Sequence, residues 1–392
     1  MSLKTYVSSK TRLLTLPDSL ALEGGGHLQT AKVAVRSWGT LNPDGTNGIL
    51  VCHALTGSAD VDDWWEKLLG PGRALDPERD FIVATNVLGG CYGSTGPGNY
   101  NPGPAKHHSQ PGNGPPDSSP GHRPSFPSIT IRDQVSAQAR ALEQLGVQGL
   151  ELVIGGSMGG MQALEWGIME PIPVRAVAAI GTPASHSPWA TGLADAQRAA
   201  IRNDPAWHGG SYDPANPPRE GLAIARMIAM CTYRSPGSFK LRFDREKHPA
   251  GHFQVENYLR YQGRKLGDRF DPNSYLTLTE AMDTHDLSRG RGTLEEVLGS
   301  YGPEVLVVGI PSDVLYTPEE IQELADGIPQ AELAWIDSPH GHDAFLMEQD
   351  TLGGLVRNFR HRVGAAAQIH ESLGIETTPR RHLKERRKER CA

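Results

Sequence analysis

Short apolar runs of strand length alternate with longer segments of helical spacing along the first half of the chain. The runs that predict strands lie at residues 13–16, 31–35, 48–51, 80–86, 152–154 and 174–180. A helix is predicted over 131–145, where Val135, Ala139 and Leu142 recur at helical spacing and Gly146 ends the pattern. Because strands and helices alternate in this order, we expect a parallel sheet with right-handed crossovers.

The pattern changes between residues 186 and 300, where strand-like runs are scarce. Helices are predicted there over 193–202, 221–232 and 253–263. Strand patterns return at 304–309 and 331–336, and a last helix is predicted over 345–362. We therefore expect an α/β protein, with a mostly parallel central sheet, flanking helices and a helical lid insertion over the carboxyl edge of the sheet. The expected division is a core of 1–185 and 301–365, a lid of 186–300, and a frayed basic tail of 366–392.

One strand-to-helix turn carries the strongest chemical signal. Gly155, Ser157 and Gly159 form a G-x-S-x-G pattern between an apolar strand and a helix predicted to begin near Met161. This context is that of the nucleophile elbow of α/β-hydrolases, in which a tight turn lifts the serine clear of the sheet. A glycine-rich turn with an incidental serine is the alternative.

The partners that a serine nucleophile needs follow two later strands. In α/β-hydrolases the chain order is serine, acid, histidine. Asp313 comes just after the strand predicted at 304–309, and His342 follows the strand predicted at 331–336. We therefore predict Ser157, Asp313 and His342 as a catalytic triad. Two alternatives stay open: Asp313 as a turn residue that bonds its own backbone, and His340 as the base.

The oxyanion donors are predicted to be backbone groups. In this fold they come from the residue after the nucleophile and from a loop after an earlier strand. Here these are the N–H groups of Met158 and Leu55.

Composition narrows the class of protein without identifying it. The 392 residues carry a formal net charge of -7, which argues against nucleic acid and gives no reason to expect an anionic membrane. Four cysteines lie far apart, so neither a zinc site nor a disulfide framework is indicated. His107, His108 and His122 lie in a Pro- and Gly-rich segment that fixes no ligand spacing, and no metal site is predicted. The first residues lack the apolar run of a signal peptide, and no stretch approaches a membrane span, so a cytoplasmic location is expected.

A series of motifs along the chain, the elbow among them, resembles one family. The matching segments are 52–57, 64–65 with 70–72, 86–97, 155–162, 197–201, 225–227, 269–271 with 273–275, and 341–346. Together they cover most of residues 25–350. On these motifs the chain resembles the homoserine O-acyltransferases of methionine biosynthesis, in the α/β-hydrolase superfamily.

The resemblance implies a two-step acyl transfer. Ser157 would take an acyl group from acyl-CoA, and the side-chain hydroxyl of a small amino acid would then receive it. The leading expectation is acetyl transfer from acetyl-CoA to L-homoserine. The resemblance also implies that no metal or permanently bound cofactor is needed and that the chain forms a homodimer through lid helices.

The resemblance further implies an acceptor site. Arg226 would hold the carboxylate of the amino acid, Asp343 its ammonium group, and Tyr233 would line the tunnel. The chemistry agrees, because a guanidinium fork suits a carboxylate and a carboxylate suits an ammonium group. A salt bridge within the lid is the alternative for Arg226, and a helix N-cap is the alternative for Asp343.

Two departures from the family pattern leave substrate choice open. Residues 103–123 are longer and richer in Pro and Gly than the matching loop, and Pro272 stands where alanine is usual. The first departure bears on the acyl donor. O-succinyl transfer to homoserine or serine stays open, as does an esterase or thioesterase with the same triad. A non-catalytic binding protein on this fold is the third class.

Overall fold

An eight-stranded sheet forms the centre of the computed structural model, which describes residues 7–100 and 126–372. The strands are β1 Arg12–Thr15, β2 Leu20–Ala21, β3 His27–Leu28, β4 Lys32–Trp38, β5 Gly48–Cys52, β6 Phe81–Thr85, β7 Leu150–Gly156, β8 Ala176–Ile180, β9 Glu304–Gly309 and β10 Ala331–Trp335. Strands β2 and β3 form a separate hairpin, and the other eight form the central sheet. Their order across the sheet is β1-β4-β6-β5-β7-β8-β9-β10. Strands β5 to β10 pair in parallel, and β1 and β4 are antiparallel at one edge. The predicted mostly parallel sheet is confirmed.

Ten helices lie in the connections between the described strands, and two follow the last strand, β10. They are α1 Val61–Trp64, α2 Ile131–Gln144, α3 Met158–Met169, α4 Pro188–Arg202, α5 Arg219–Tyr233, α6 Pro236–Phe243, α7 Gln254–Gly267, α8 Pro272–Asp283, α9 Leu294–Gly299, α10 Pro318–Gly327, α11 Ala344–Met347 and α12 Gln349–Ser372. Two 3₁₀ turns occur, at Pro205–Gly210 and Gly341–Asp343. Helices α4 to α9 all fall between β8 and β9, which confirms the predicted helical insertion.

Several elements differ from the pattern-based prediction. The hairpin β2–β3 and the helices α1, α6, α8, α9 and α10 were not predicted, because most of them are too short to show a period. The helix predicted over 345–362 is two helices, α11 and α12, with non-helical backbone at Glu348. Pro272 occupies the first turn of α8, where the fixed proline φ suits a helix start, and Asp271 caps that turn by accepting from the Ser274 N–H at 2.7 Å.

The sheet is buried on both faces, and alternate strand residues serve opposite sides. Leu50, Val153 and Val307 pack in one apolar cluster with residues of α2, α3 and the insertion. Ile49, Ile154 and Leu306 pack in the other, with residues of α12. This double covering explains the continuous apolar strands and leaves the carboxyl edge as the place where side chains with chemistry collect.

Some sequence-based expectations fall on other parts of the chain. Residues 103–123, with His107, His108 and His122, lie outside the described residues, and so does most of the predicted tail of 366–392. Helix α12 continues past residue 365 to Ser372. Among the described residues, no helix combines the length and apolar character that a bilayer crossing requires.

Candidate active site

Ser157 stands at the junction of β7 and α3 in a strained backbone conformation. Its φ of 56° and ψ of -126° lie in a region that residues other than glycine rarely adopt. A side chain at Gly155 would collide with the backbone of Gly159, and one at Gly159 with the carbonyl of Cys52. The two glycines of the motif are therefore steric requirements of the turn. Helix α3 begins at Met158, earlier than predicted, because tertiary contacts override the low helix propensity of the glycines.

Asp313 and His342 meet at the same edge of the sheet. The Oδ2 atom of Asp313 lies 2.6 Å from Nδ1 of His342, and both side chains are buried. The loop after β9 supplies the acid and the 3₁₀ turn after β10 supplies the imidazole. Because Nδ1 is engaged with the carboxylate, Nε2 is the nitrogen that faces away, and it has no hydrogen-bond partner among the described residues. This is the arrangement of an oriented general base.

Ser157 and His342 share one neighbouring segment. The Ser157 N–H donates to the carbonyl of Ile180 at 2.9 Å. A side chain at the next residue, Gly181, would come within 3.4 Å of Cε1 of His342. Phe345 packs on His342 with ring centroids 5.6 Å apart, and a side chain at Gly156 would meet the same Phe345 ring. Ser157 and His342 thus lie on either side of the same segment and the same Phe345 ring, without a hydrogen bond between the serine hydroxyl and Nε2 in this structure.

The alternatives for the acid and the base can now be compared. Asp313 is a turn residue as well as the partner of His342, since its Oδ1 accepts from the N–H groups of Leu315 at 2.8 Å and Tyr316 at 3.2 Å. His340 points elsewhere, with Nδ1 3.2 Å from Oγ of Ser238 in α6. The geometry therefore favours His342 as the base and gives the two oxygens of Asp313 separate tasks.

The proposed oxyanion donors lie on either side of the elbow. Met158 is the first residue of α3, so its N–H has no partner within the helix. Leu55 lies in the loop after β5, and its side chain is buried in the same apolar cluster as that of Met158. His53 fixes this loop, because Nδ1 lies 2.8 Å from the Ala54 carbonyl and Nε2 accepts from the Val87 N–H at 3.1 Å. Burial lowers the pKa of His53 to about 4, which keeps the ring neutral for both contacts.

The predicted acceptor residues cluster beside the base. The guanidinium of Arg226 lies over the ring of Tyr233, 5.1 Å from its centroid, and that ring is 5.8 Å from the His342 ring. Among the described residues Arg226 forms no ion pair within 4.0 Å, so the lid salt bridge is not observed. Asp343 stands at the N-terminus of α11 but makes no capping hydrogen bond from its side chain.

One residue of this cluster was not singled out from the sequence. The Nε atom of Arg234 lies 3.1 Å from Oδ2 of Asp343. The two residues meet only because the end of α5 docks on the turn after β10. The adjacency of Arg234 to Tyr233 was the only signal in the sequence, and it did not identify the partner.

Charges around the base shift its titration. Burial by itself would lower the pKa of His342, but the carboxylates of Asp313 and Asp343 outweigh it and raise that pKa above its usual value. Burial also raises the pKa of Asp343, while Arg226, Arg234 and His342 oppose the rise. Each carboxylate of the site thus has a basic neighbour: His342 lies beside Asp313, and Arg226 and Arg234 act on Asp343.

A small cavity adjoins these groups. It is lined by apolar residues together with the polar side chains of His186, Gln197, Thr232, Tyr233, Thr279 and Tyr316. Tyr316 packs edge-on against His342, with ring centroids 5.3 Å apart. Within the described ranges, no group of three or more His, Cys, Asp or Glu side chains is placed to hold a metal ion. Ser157, His342, Arg226 and Asp343 are not among its lining residues, and the cavity adjoins the candidate site through the rings of Tyr233 and Tyr316.

Comparison with known proteins adds the family context. Residues 47–349 match the family model described as the α/β hydrolase fold. The chain is 51% identical to a homoserine O-acetyltransferase of Trichormus variabilis (strain ATCC 29413 / PCC 7937), over 92% of this chain and 96% of that protein.

Solved structures include both acyltransferases and esterases. A homoserine O-acetyltransferase from Staphylococcus aureus aligns with a TM-score of 0.70 and 27% identity, covering 90% of this chain and 94% of that one. An acetylester hydrolase from Corynebacterium glutamicum aligns with a TM-score of 0.73 and 25% identity, covering 90% and 96%. The fold alone therefore does not separate acetyl transfer from ester hydrolysis.

Proposed function

This chain belongs to the homoserine O-acetyltransferase family, within the α/β-hydrolase fold, and from that premise we propose that it moves an acetyl group from acetyl-CoA to the side-chain hydroxyl of L-homoserine. Ser157 is the proposed nucleophile, His342 the base and Asp313 the orienting acid. The 2.6 Å contact between Asp313 and His342 supports these catalytic roles, and the 51% identity to a homoserine O-acetyltransferase is the observation that carries the choice of reaction.

In the first half-reaction the serine is acylated. The Ser157 hydroxyl attacks the thioester carbonyl of acetyl-CoA while Nε2 of His342 takes its proton. The negative charge on the former carbonyl oxygen is stabilised by the N–H groups of Met158 and Leu55. When the C–S bond breaks, the CoA sulfur receives the proton from His342, and an acetyl ester remains on Ser157.

In the second half-reaction the acetyl group moves to the acceptor. The hydroxyl of homoserine attacks the ester carbonyl and gives its proton to His342. The ester bond to Ser157 then breaks, and His342 returns the proton to the serine oxygen. Because the acetyl group is held on Ser157 between the two half-reactions, the transfer is ping-pong, and it restores the enzyme while acetyl-CoA is converted to CoA.

The acceptor has to be held by its two charged groups. We propose that Arg226 binds the carboxylate and Asp343 the ammonium group, with Tyr233 lining the space between them and His342. The absence of an ion pair to Arg226 among the described residues supports this, because its guanidinium stays available for a bidentate contact. Holding both groups aims the hydroxyl at the ester and lets it compete with water.

Esterase activity is the second candidate, and the structural similarity to an acetylester hydrolase favours it. The same triad hydrolyses the acyl-serine whenever water reaches it first. A plain esterase has no need of an arginine and an aspartate, such as Arg226 and Asp343, beside the base. The two functions therefore differ at the acceptor site and share the triad.

The product identifies the function directly. Purified enzyme is incubated with homoserine or serine, each offered with acetyl-CoA or succinyl-CoA, and the products are analysed by mass spectrometry. We expect O-acetylhomoserine to dominate. A succinylated or serine-derived product would change the substrate assignment and keep the mechanism. Free acid and CoA without an acyl amino acid would mean that the enzyme is a hydrolase.

Substitution of Arg226 tests the acceptor site. Arg226→Ala removes a charge-assisted contact to the carboxylate, which is worth about 1.5–3 kcal/mol. We therefore expect the KM for homoserine to rise about 10- to 100-fold, with a much smaller change for acetyl-CoA. Steady-state kinetics with each substrate varied in turn provides the measurement. Equal increases for both substrates would contradict the assigned role.

Three further expectations concern the whole molecule: its division into core and lid, its oligomeric state and its location. We propose a lid of 186–300 over a core of 1–185 and 301–365, and a homodimer through lid helices. Ile224 of α5 and Tyr261 of α7 are exposed apolar side chains on neighbouring helices of that region, which suits a contact between two copies. Sedimentation of the purified protein reports its oligomeric state. The soluble CoA thioester substrate is consistent with a cytoplasmic location.

A further inference from the structure

The end of helix α5 is joined to the turn that carries the proposed base. Gly341, with a φ of 68°, packs so closely on the backbone of Arg234 and Ser235 that an added side chain would lie 2.6 Å from the Ser235 nitrogen. The Ser235 hydroxyl donates to the carbonyl of Pro339. The inserted helix and the catalytic turn therefore form one packed unit at this point.

Arg234 places a charge inside this unit. Its Nε lies 3.1 Å from Oδ2 of Asp343, and the two side chains are only 15% and 17% exposed. The two groups are within ion-pair distance, but the angle at Nε is not that of a hydrogen bond. Nε has no hydrogen-bond partner among the described residues. The Nη1 atom lies 2.8 Å from the sulfur of Met347 in α11. The guanidinium is thus held between Asp343 and α11, at the end of the helix that carries Arg226.

Arg226 of α5 and Arg234, the residue that follows the last turn of α5, occupy different positions relative to Asp343. Arg226 stacks over Tyr233 and has no ion pair among the described residues, while Arg234 is already paired. A paired, largely buried guanidinium is poorly placed to bind a substrate carboxylate. It is well placed to fix the carboxylate that it contacts.

On this basis, and resting on the proposed function, we propose that Arg234 is a positioning residue that holds the Asp343 carboxylate ionised and oriented toward the ammonium group of the acceptor. Arg234 then acts through Asp343 and makes no contact with the substrate itself. If Arg234 positions Asp343 in this way, the enzyme prefers acceptors with an α-ammonium group over hydroxy acids of the same length.

The charges around Asp343 support this assignment. The titratable and charged groups that face it are Arg226 and Tyr233 of α5, Arg234 just after that helix, His342 of its own turn, and Asp313 of the loop after β9. Burial raises the pKa of Asp343, and the cationic neighbours hold it down. Loss of Arg234 removes one of them, so that pKa rises further. Only the ionised Asp343 carboxylate binds an ammonium group. When the pH is lowered, the variant therefore loses its affinity for homoserine at a higher pH than the wild type does.

The test separates the two ends of the acceptor. Homoserine, γ-hydroxybutyrate, which lacks the ammonium group, and aminopropanol, which lacks the carboxylate, are compared on the wild type and on Arg234→Gln. We expect the KM for homoserine and the inhibition constant of aminopropanol to rise by a similar factor, about tenfold. This factor corresponds to the loss of the charge contact between Asp343 and the ammonium group. The inhibition constant of γ-hydroxybutyrate should stay unchanged. Equal weakening of γ-hydroxybutyrate would overturn the proposal, since Arg234 would then bind the carboxylate.

Controls separate positioning from simple stabilisation. Arg234→Lys keeps the charge and should bring the acid limb of homoserine affinity back toward that of the wild type, while Arg234→Gln moves it to higher pH. Arg175→Gln breaks an exposed ion pair with Glu151 away from the site and should change neither constant. If Arg234→Gln does not fold, Arg234→Met keeps the aliphatic stem and carries the same comparison. An unchanged homoserine KM in a folded variant would refute the role.

The inference can fail independently of the proposed function. If the wild type yields no O-acetylhomoserine, the proposed function is wrong. Calorimetric binding of homoserine and its two analogues to wild type and variant then still tests whether Arg234 supports an ammonium site. If O-acetylhomoserine forms and the variant binds all three molecules as the wild type does, only the inference about Arg234 is wrong.

Discussion

Replacing Ser157 by alanine is expected to reduce acetyl transfer by about 10⁴- to 10⁶-fold, because the covalent route is lost and only the binding and oxyanion groups remain. The effect is expected in kcat, since the proposed substrate contacts at Arg226 and Asp343 are untouched. In the wild type, mass spectrometry after brief exposure to acetyl-CoA should find one added acetyl group on the intact chain. Ser157→Ala should carry none.

The fold should survive this change. Alanine removes one hydroxyl group and leaves the Ser157 backbone contact to the Ile180 carbonyl in place. Ser136→Ala is a matched control, because Ser136 is a partly buried serine of α2 whose hydroxyl donates to the Arg132 carbonyl, and this variant should keep full activity. Retained turnover in Ser157→Ala, or an acetyl group found on another residue, would contradict the proposed nucleophile.

The turn at Ser157 and the sheet could be predicted because both depend on local pattern. The apolar strand before Gly155 and the helix after it are contiguous in sequence, and a G-x-S-x-G turn between them has one known geometry. Strand ends in a parallel sheet collect at one edge, so the loops that carry Asp313 and His342 had to approach Ser157. These predictions needed only the direction of each strand and no detail of packing.

The choice between His340 and His342 required the structure. In an extended strand, residues two apart point to the same side, so sequence spacing alone gives them similar prospects. Here the chain turns through Gly341 in a left-handed conformation and a 3₁₀ turn. His340 therefore faces Ser238 while His342 faces Asp313.

The acceptor site depended on tertiary docking as well. Arg226 and Asp343 could be named through the family resemblance, but the contact of Arg234 with Asp343 depends on how the end of α5 meets the turn after β10. No periodicity encodes that meeting. The close approach at Gly341 is its structural cause, and it becomes visible only when both segments are in place.

Asp313→Asn is expected to lower kcat about 10⁴-fold while leaving the loop intact. The Asn oxygen can still accept from the N–H groups of Leu315 and Tyr316, as Oδ1 of Asp313 does at 2.8 and 3.2 Å. The Asn amide, however, presents a donor to Nδ1 of His342, 2.6 Å away in the native pair. The ring then carries its proton on Nε2 and cannot take one from Ser157. Steady-state kinetics and a thermal melt of the variant measure the two effects separately.

The pH profile distinguishes this mechanism from a general loss of structure. Asp313 helps to raise the pKa of His342 against the effect of burial, so that pKa falls when the carboxylate is removed. His342 acts as a base only when neutral, and the acid limb of the residual activity should therefore move to lower pH in Asp313→Asn. Asp337→Asn changes an exposed carboxylate in the loop after β10 and should leave rate and profile unaltered. An Asp313→Asn enzyme within tenfold of the wild type, with an unmoved acid limb, would mean that Asp313 serves the turn alone and that another group orients the base.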